Sequence, residues 1–370
     1  MTHSQRCDNL SARLRARAGG PDDAEFVDAM LVTDLNNVRY LSGFSGSNAA
    51  LLVFADGRLP VLSTDGRYRT QAARQAPDLE VVIERACARY LVGRAAADGA
   101  QRIGFESHVV TVDGFDTLER VVRDTSATLV RASGTVEALR EVKDDGEIAL
   151  LRLACQAADA ALAELIERGG LRPGRTEKEV RRDLEAMMLD HGADGASFET
   201  IVATGANSAV PHHRPTDAVL ARGDFVKIDF GALVAGYHSD MTRTFILEQP
   251  ADWQLEIYSL VATAQRAGCE ALAPGVSLRD VDTASRQVIA DAGYGETFSH
   301  GLGHGVGLQI HEAPGINAAA AGTLLAGSTV TVEPGVYLPD RGGVRIEDTL
   351  VVGSQAPDLL TRFPKELQIL

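Results

Sequence analysis

LRPGRTEKEV, Leu171–Val180, is repeated as LAPGVSLRDV, Leu272–Val281. Pro173 and Pro274, Gly174 and Gly275, and Val180 and Val281 all share an offset of 101. Both copies read as helix starts: Thr176 with Glu179 spells a capping box, and Ser277 with Asp280 a looser version. Each helix is expected to stop at a glycine, Gly192 and Gly293, the residue that takes the left-handed cap most readily. A phenylalanine follows each, Phe198 and Phe298. Two copies are too few for a solenoid, which needs at least three. They predict one domain with a pseudo-twofold axis.

The repeat continues into strands. RGDFVKIDFG parallels AGSTVTVEPG, and Asp229 and Glu333 hold matching places after Gly223 and Gly327. In FVKIDFG the period is two, so Lys227 and Asp229 share a face. ALVAG then turns the chain and YHSDMTRTF returns it, which would bring Asp240 toward Asp229. GVRIEDTL adds Glu347, with Arg345 on the same face. Four carboxylates on apolar strands cannot all stay ionised in a core unless cations compensate them. Lys227 and Arg345 could offset two of the four, and one or two divalent metal ions are the natural compensation for the rest.

A further ligand is expected in SHGLGHGVGLQIHEAPG, which sets His300, His304 and His311 among glycines that permit close approach; His300 reads equally as a hydrogen-bonded residue supporting the site. VPHH supplies His212 and His213. By the repeat, His212 corresponds roughly to His311, so the two would flank the metals; His213 reads as structural or as part of the rim. One aspartate in a strand is more often a paired structural residue, and Asp229-Phe230-Gly231 alone only spells a kinase tripeptide without its companion motifs. Asp229, Asp240, His304, Glu333 and Glu347 together would need five unrelated explanations.

Outward from the repeat, the first third alternates short apolar runs (DAMLVTD, NAALLVFAD, RLPVLST, LEVVIER) with helical stretches, an α/β pattern. The charged stretch over Gly134–Asp145 marks a boundary, giving domains 1–138 and 139–370. A long helix follows, with Ile148, Leu151, Cys155, Ala158, Leu162 and Leu165 on one face. A chain of 370 residues with 45% hydrophobic and 24% charged content can fill two cores. Its net charge of −15 argues against nucleic acid or an anionic membrane as partner. MTHSQRCDNL lacks the apolar core of a signal peptide, no run reaches the ~18 residues of a membrane helix, and the four cysteines form no C-x-x-C pair. A cytoplasmic protein with reduced thiols is expected.

From Lys143 onward, VPHH, KIDFGA, SDMTRTF, GLGHGVGLQIHE, VEPGVY and GVRIED occur in the order found in the pita-bread metallopeptidases, and the chain is identified as a member of that family. NNVRYLSGFSGSNAALLVF and STDGRYRTQA resemble the N-terminal domain of aminopeptidase P, prolidase and creatinase. The resemblance implies an N-terminal creatinase/prolidase-like α/β domain and a C-terminal pita-bread domain, α/β (α+β) in class. It implies that Asp229 holds one metal, that His304 and Glu333 complete the other site, and that Asp240 and Glu347 bridge. Glu333 would also be the proton acceptor, His212 and His311 the catalytic histidines, and His300 and Arg345 substrate-side residues. The implied activity is hydrolysis of the bond between an N-terminal residue and proline, as an Xaa-Pro dipeptidase or aminopeptidase. An aminopeptidase without proline preference and an inactive binding module are the alternatives. Two divalent ions per chain are implied, manganese ahead of cobalt or zinc, with a proline-containing peptide as substrate and a homodimer as assembly.

Overall fold

The structure, a computed structural model, describes residues 1–16 and 27–370. Two compact units, Met1–Arg140 and Glu141–Leu370, divide the chain. The first is built on a six-stranded mixed sheet. Its central strand, Ala29–Val32, runs antiparallel to Ala49–Phe54 and parallel to Arg102–Phe105. Both strand faces are apolar and buried, as in the runs AMLV and AALLVF, and Leu91, Val92, Leu118 and Val122 cover one side from two helices. The helix Leu35–Ser42 is capped by Asp34, whose carboxylate accepts from Asn36 N and Asn37 N.

The second unit opens with the helix Asp145–Glu167, started by a reciprocal capping box between Asp144 and Glu147. Leu151, Cys155, Ala158, Leu162 and Leu165 are buried on the expected face, while Ile148 is half-buried. The repeat appears as two helices of equal length, Glu177–Asp190 and Leu278–Asp291. Thr176 and Glu179 bond in both directions; Ser277 accepts from Asp280 N. Gly192 and Gly293 sit just past the helix ends at φ 95° and 87°, the left-handed closure expected of them.

Each helix is followed by a strand pair. Phe225–Phe230 pairs antiparallel with Met241–Ile246, and Asp229 faces Thr242 across it. Thr329–Val332 pairs antiparallel with Asp348–Val351. The first pair is a hairpin continued by a second, inner one, where Leu233 and Val234 pair with His238 and Tyr237. Gly231 lies between the two stages, so close to the returning chain that a Cβ there would meet Ser239 O at 1.8 Å. Two apolar cores result. One gathers Leu162, Val180, Leu184, Val202, Ile228 and Met241, and the other Val261, Val281, Ile289, Leu302, Val330 and Val344. Backbone and side-chain bonds stitch the halves: Thr244 Oγ1 donates to Arg345 O at 2.9 Å, and Glu347 N to Thr242 O at 3.1 Å. Among the described residues no helix is long and apolar enough to cross a membrane.

Candidate metal centre

That stitch brings the carboxylates of the two halves into one cavity of about 280 Å³. Asp229 comes from the strand Phe225–Phe230, Asp240 from the residue before Met241–Ile246, Glu333 from the residue after Thr329–Val332, and Glu347 from the residue before Asp348–Val351. All four line it, with His304, His212 and His311. His304 lies on the short strand Gly303–Gly305. Its Nδ1 donates to Gly305 O at 3.0 Å, a carbonyl that can only accept, so Nε2 is left as the lone-pair nitrogen. Nε2 stands 3.5 Å from Asp240 Oδ2 and 3.4 Å from Glu333 Oε1.

The electrostatics are unbalanced. Burial, then the charges of Glu347, Asp229 and Glu333, push the Asp240 carboxyl well above the carboxylate range. Burial, then Glu333 and Asp229, do the same to Glu347. Burial carries Glu333 up to about 8, with Arg345 opposing and Asp229 assisting. Burial lowers His304 to about 4, so its ring is neutral, the form that binds metal. Arg345 is the cation paired with these carboxylates among the described residues: its Nη2 pairs with Asp229 Oδ2, while Nε lies 4.0 Å from Glu333 Oε2. Lys227 departs from its expected role. It shares the Asp229 face, but its amine donates to Val210 O at 2.7 Å and Pro211 O at 3.3 Å, and burial lowers its pKa well below the usual lysine value.

A divalent cation fits what remains. Asp229 Oδ1 is buried with no hydrogen-bond partner. Donor atoms of Asp240, His304 and Glu347 all lie within 4.8 Å of one another. Four carboxylates and one imidazole form an oxygen-rich donor set suited to hard or borderline ions.

His212 and His311 are exposed to the cavity, and the His311 ring packs edge-on against His304 with centroids 4.4 Å apart. His300 and Arg345 are not among the residues that line this cavity. Strand alternation gives a face but not a depth. His300 Nδ1 donates to Gly301 O, so its Nε2 accepts from the Tyr337 hydroxyl at 2.8 Å, which in turn accepts from Arg345 Nη1 at 2.8 Å. Tyr337 sits in the VEPGVY stretch, but nothing in its spacing marks it as the link between these two. Two further groups hold Glu347 in place. Thr242 Oγ1 donates to Glu347 Oε2 at 2.7 Å and accepts from Arg345 Nε at 3.0 Å. Arg243 Nη1 donates to Glu347 O at 2.6 Å.

Comparison with known proteins gives the family. The model of metallopeptidase family M24 matches residues 149–354 and that of the creatinase/prolidase N-terminal domain residues 12–142. An uncharacterized peptidase, YqhT, of Bacillus subtilis is 39% identical over 93% of this chain and 96% of its own length. Among solved structures, an Xaa-Pro dipeptidase from Bacillus anthracis superposes with a TM-score of 0.91 at 39% identity, covering 98% of this chain and 100% of that one. An X-Pro aminopeptidase from Thermotoga maritima gives 0.85 at 34% identity, covering 93% and 98%. Carboxylates and a neutral imidazole gathered around one cavity suit a metal-dependent hydrolase, and this chain belongs to metallopeptidase family M24, as a peptidase with a creatinase/prolidase-type N-terminal domain.

Proposed function

We propose that the chain is an Xaa-Pro peptidase that cuts the bond between an N-terminal residue and proline, with two divalent ions held by Asp229, Asp240, His304, Glu333 and Glu347. The observation that carries this reading is the convergence of all five donors with His212 and His311 on one cavity. The likeness over nearly the whole chain to a dipeptidase and an aminopeptidase named for Xaa-Pro substrates supports the substrate class. When bound, such ions supply Lewis-acid polarisation of a carbonyl and a hydrolytic nucleophile at neutral pH. The oxygen-rich donor set favours manganese over a zinc site built from His and Cys. The resemblance extends the reading to a cytoplasmic homodimer.

The chain's own residues do the rest. Glu333 lines the cavity and takes the proton released when water adds to the scissile carbonyl, then passes it to the proline nitrogen. His212 and His311, on opposite halves of the repeat, hold the substrate and donate to the oxygen that becomes negative as the carbonyl turns tetrahedral. The Arg345 guanidinium pairs with Asp229 and, through Tyr337, fixes His300. Proline lacks an amide hydrogen and fixes its own φ, so a pocket selects it by ring shape, a preference of modest size.

The test is a matched set, Ala-Pro, Ala-Pro-Ala, Ala-Ala-Ala and acetyl-Ala-Pro-Ala, with manganese-loaded protein. Faster cleavage of the proline peptides and severe weakening by acetylation are expected. Equal kcat/KM for the proline and alanine tripeptides defeats the Xaa-Pro assignment and leaves an aminopeptidase without proline preference. Undiminished cleavage of the acetylated peptide defeats the aminopeptidase mode.

A further inference from the structure

Glu177 is a carboxylate that the metal centre does not use. It opens the helix Glu177–Asp190 and is 0% exposed. Five donors converge on it. Oε1 accepts from Thr204 N and Asn207 Nδ2, both at 2.9 Å. Oε2 accepts from His213 Nε2, Thr216 N and Thr216 Oγ1, each at 2.8 Å. The carboxylate can only accept, so His213 carries its proton on Nε2.

The helix start does not itself need a carboxylate. At the equivalent place in the second repeat, the helix Leu278–Asp291 opens with Leu278, which is 5% exposed. The scaffold is thus satisfied by an apolar side chain, and what differs in the first half is the segment packed on it. That segment carries His212. Between Ala209 and Phe225 the chain has no helix or strand. Backbone geometry there is set by individual contacts. On the N-terminal side of His212, Lys227 Nζ holds Val210 O and Pro211 O, and Arg345 Nη1 holds Pro211 O at 3.2 Å. On the C-terminal side, backbone bonds tie Thr216, Ala218 and Leu220 to the stretch from Gly174 to Lys178, and the side-chain anchors nearest His212 are His213 and Thr216, which both end on the Glu177 carboxylate. His212 itself faces the cavity.

We propose that the buried Glu177–His213 pair is a positioning device for His212, fixing the segment on its C-terminal side so that the imidazole points into the cavity. This rests on the reading of His212 as a substrate-contacting group. Glu177 and His213 touch neither substrate nor metal; they act through the neighbouring residue. A displacement of about 1 Å in a catalytic group can cost roughly 10²-fold, which sets the size of the effect expected.

The experiment is a double-mutant cycle between Glu177→Gln and His212→Ala in the manganese-loaded full chain. It is run on whichever peptide of the matched set the wild type cleaves fastest. A failed proline preference then shows in the wild type and leaves the cycle readable. Glu177→Gln keeps the volume but turns one oxygen into a donor facing donors. It is expected to lower kcat by roughly 10²-fold, with metal content and KM near wild type. In the His212→Ala background it is expected to cost nothing further, because the group it positions is gone. In the chelated, diamagnetic protein, the His212 ring-proton resonance, assigned as the one missing from His212→Ala, is expected to shift in Glu177→Gln. His213→Ala and His213→Gln test the second arm without disturbing the other four bonds. The alanine variant is expected to lose about 10-fold, and glutamine, whose Nε2 can replace the imidazole donor, to recover most of it. If Glu177→Gln loses as much without His212 as with it, the pair acts elsewhere and the proposal fails. If Glu177→Gln does not fold, the His213 variants decide, and wild-type kcat in His213→Ala overturns it.

Discussion

Glu347 and Asp348 are adjacent, both buried to 1% exposure or less, and in opposite electrostatic situations. Asp348 points away from the cavity into a balanced network. Oδ1 accepts from Arg243 Nη2 at 2.8 Å and Thr361 Oγ1 at 2.9 Å; Oδ2 accepts from Gln265 Nε2 at 2.9 Å and Lys365 Nζ at 2.5 Å. Burial alone would raise its pKa, but Arg243 and Lys365 outweigh burial and the shift is downward. Glu347 points into the cavity, where its neighbours are carboxylates and its pKa goes up. One strand end therefore serves two purposes. The Asp348 cluster holds the backbone, since Arg243 also donates to Glu347 O and Thr242 O. The Glu347 cluster is left short of positive charge, and that deficit is where cations bind.

The comparison breaks most decisively on metal removal. Dialysis against a strong chelator should abolish peptide cleavage, and manganese should restore it, while far-ultraviolet circular dichroism stays unchanged because the Asp348 cluster needs no ion. Elemental analysis of the active protein should return two divalent ions per chain. Full activity in demonstrably metal-free protein would end the two-metal reading. Next in size is Glu333→Gln, which keeps the shape and removes both a ligand charge and the proton acceptor. A loss of about 10²–10⁴-fold in kcat is expected, the usual range for general acid–base catalysis. Near-normal kcat with both metals bound would remove Glu333 from that role.

The cavity side of this comparison was legible in the sequence and the Asp348 side was not. An acidic residue in an apolar strand is conspicuous, and the repeat doubled the signal by putting Asp229 and Glu333 in register. The hairpin could be read from ALVAG, and the five donors followed from motifs that keep a fixed order. Arg243 and Asp348 lie in the same quoted stretches, MTRTF and RIED. Yet they are 105 residues apart and meet only in space, and a charged residue with a distant partner looks in sequence like one on the surface. Glu177 was hidden for the same reason, since TEKEV explains it fully as a helix start. Lys227 was given the right face, but its amine goes to Val210 and Pro211, which no periodicity reveals. The depth of His300 and Arg345 behind the cavity wall depends on Tyr337 and on packing between halves, again information absent from local spacing.

A sharper separation of the two clusters comes from removing one charge in each. Asp348→Asn leaves Arg243 buried beside a neutral partner, and breaking a buried pair in this way costs about 3–5 kcal/mol. Urea unfolding of the chelated protein should show that loss. Asp240→Asn removes one of several crowded carboxylates, so the chelated variant should be at least as stable as wild type, although it should bind metal poorly. Equal destabilisation by the two substitutions would mean that the cavity carboxylates are structural partners after all.

The smallest expected effect is a difference in pH dependence, and its sign follows from the directions of the shifts. In metal-free protein Glu333 is raised from 4.5 to about 8. Between those values the folded state holds the proton and the unfolded state does not. The contribution to stability is therefore present below 4.5 and lost as pH rises through about 8. Asp348, lowered, behaves in the opposite sense: its contribution is present above the unfolded value of 3.8 and is lost only as pH falls below it. His304, lowered from 6.5 to about 4, and His300, lowered to about 3, oppose Glu333 below 6.5, because the unfolded chain binds protons there that the folded one refuses. Lys227, also lowered, favours the folded state as pH rises. These opposing groups are common to wild type and Glu333→Gln, so the difference between the two proteins reports Glu333 together with the relief it gives Asp240 and Glu347, which its charge helps to raise and which act in the same direction. From pH 6.5 to 8 at fixed ionic strength, chelated Glu333→Gln should gain urea stability relative to chelated wild type. A constant difference across that range would show that Glu333 is already ionised without metal, and that the crowding of carboxylates in the cavity is relieved by something other than a proton.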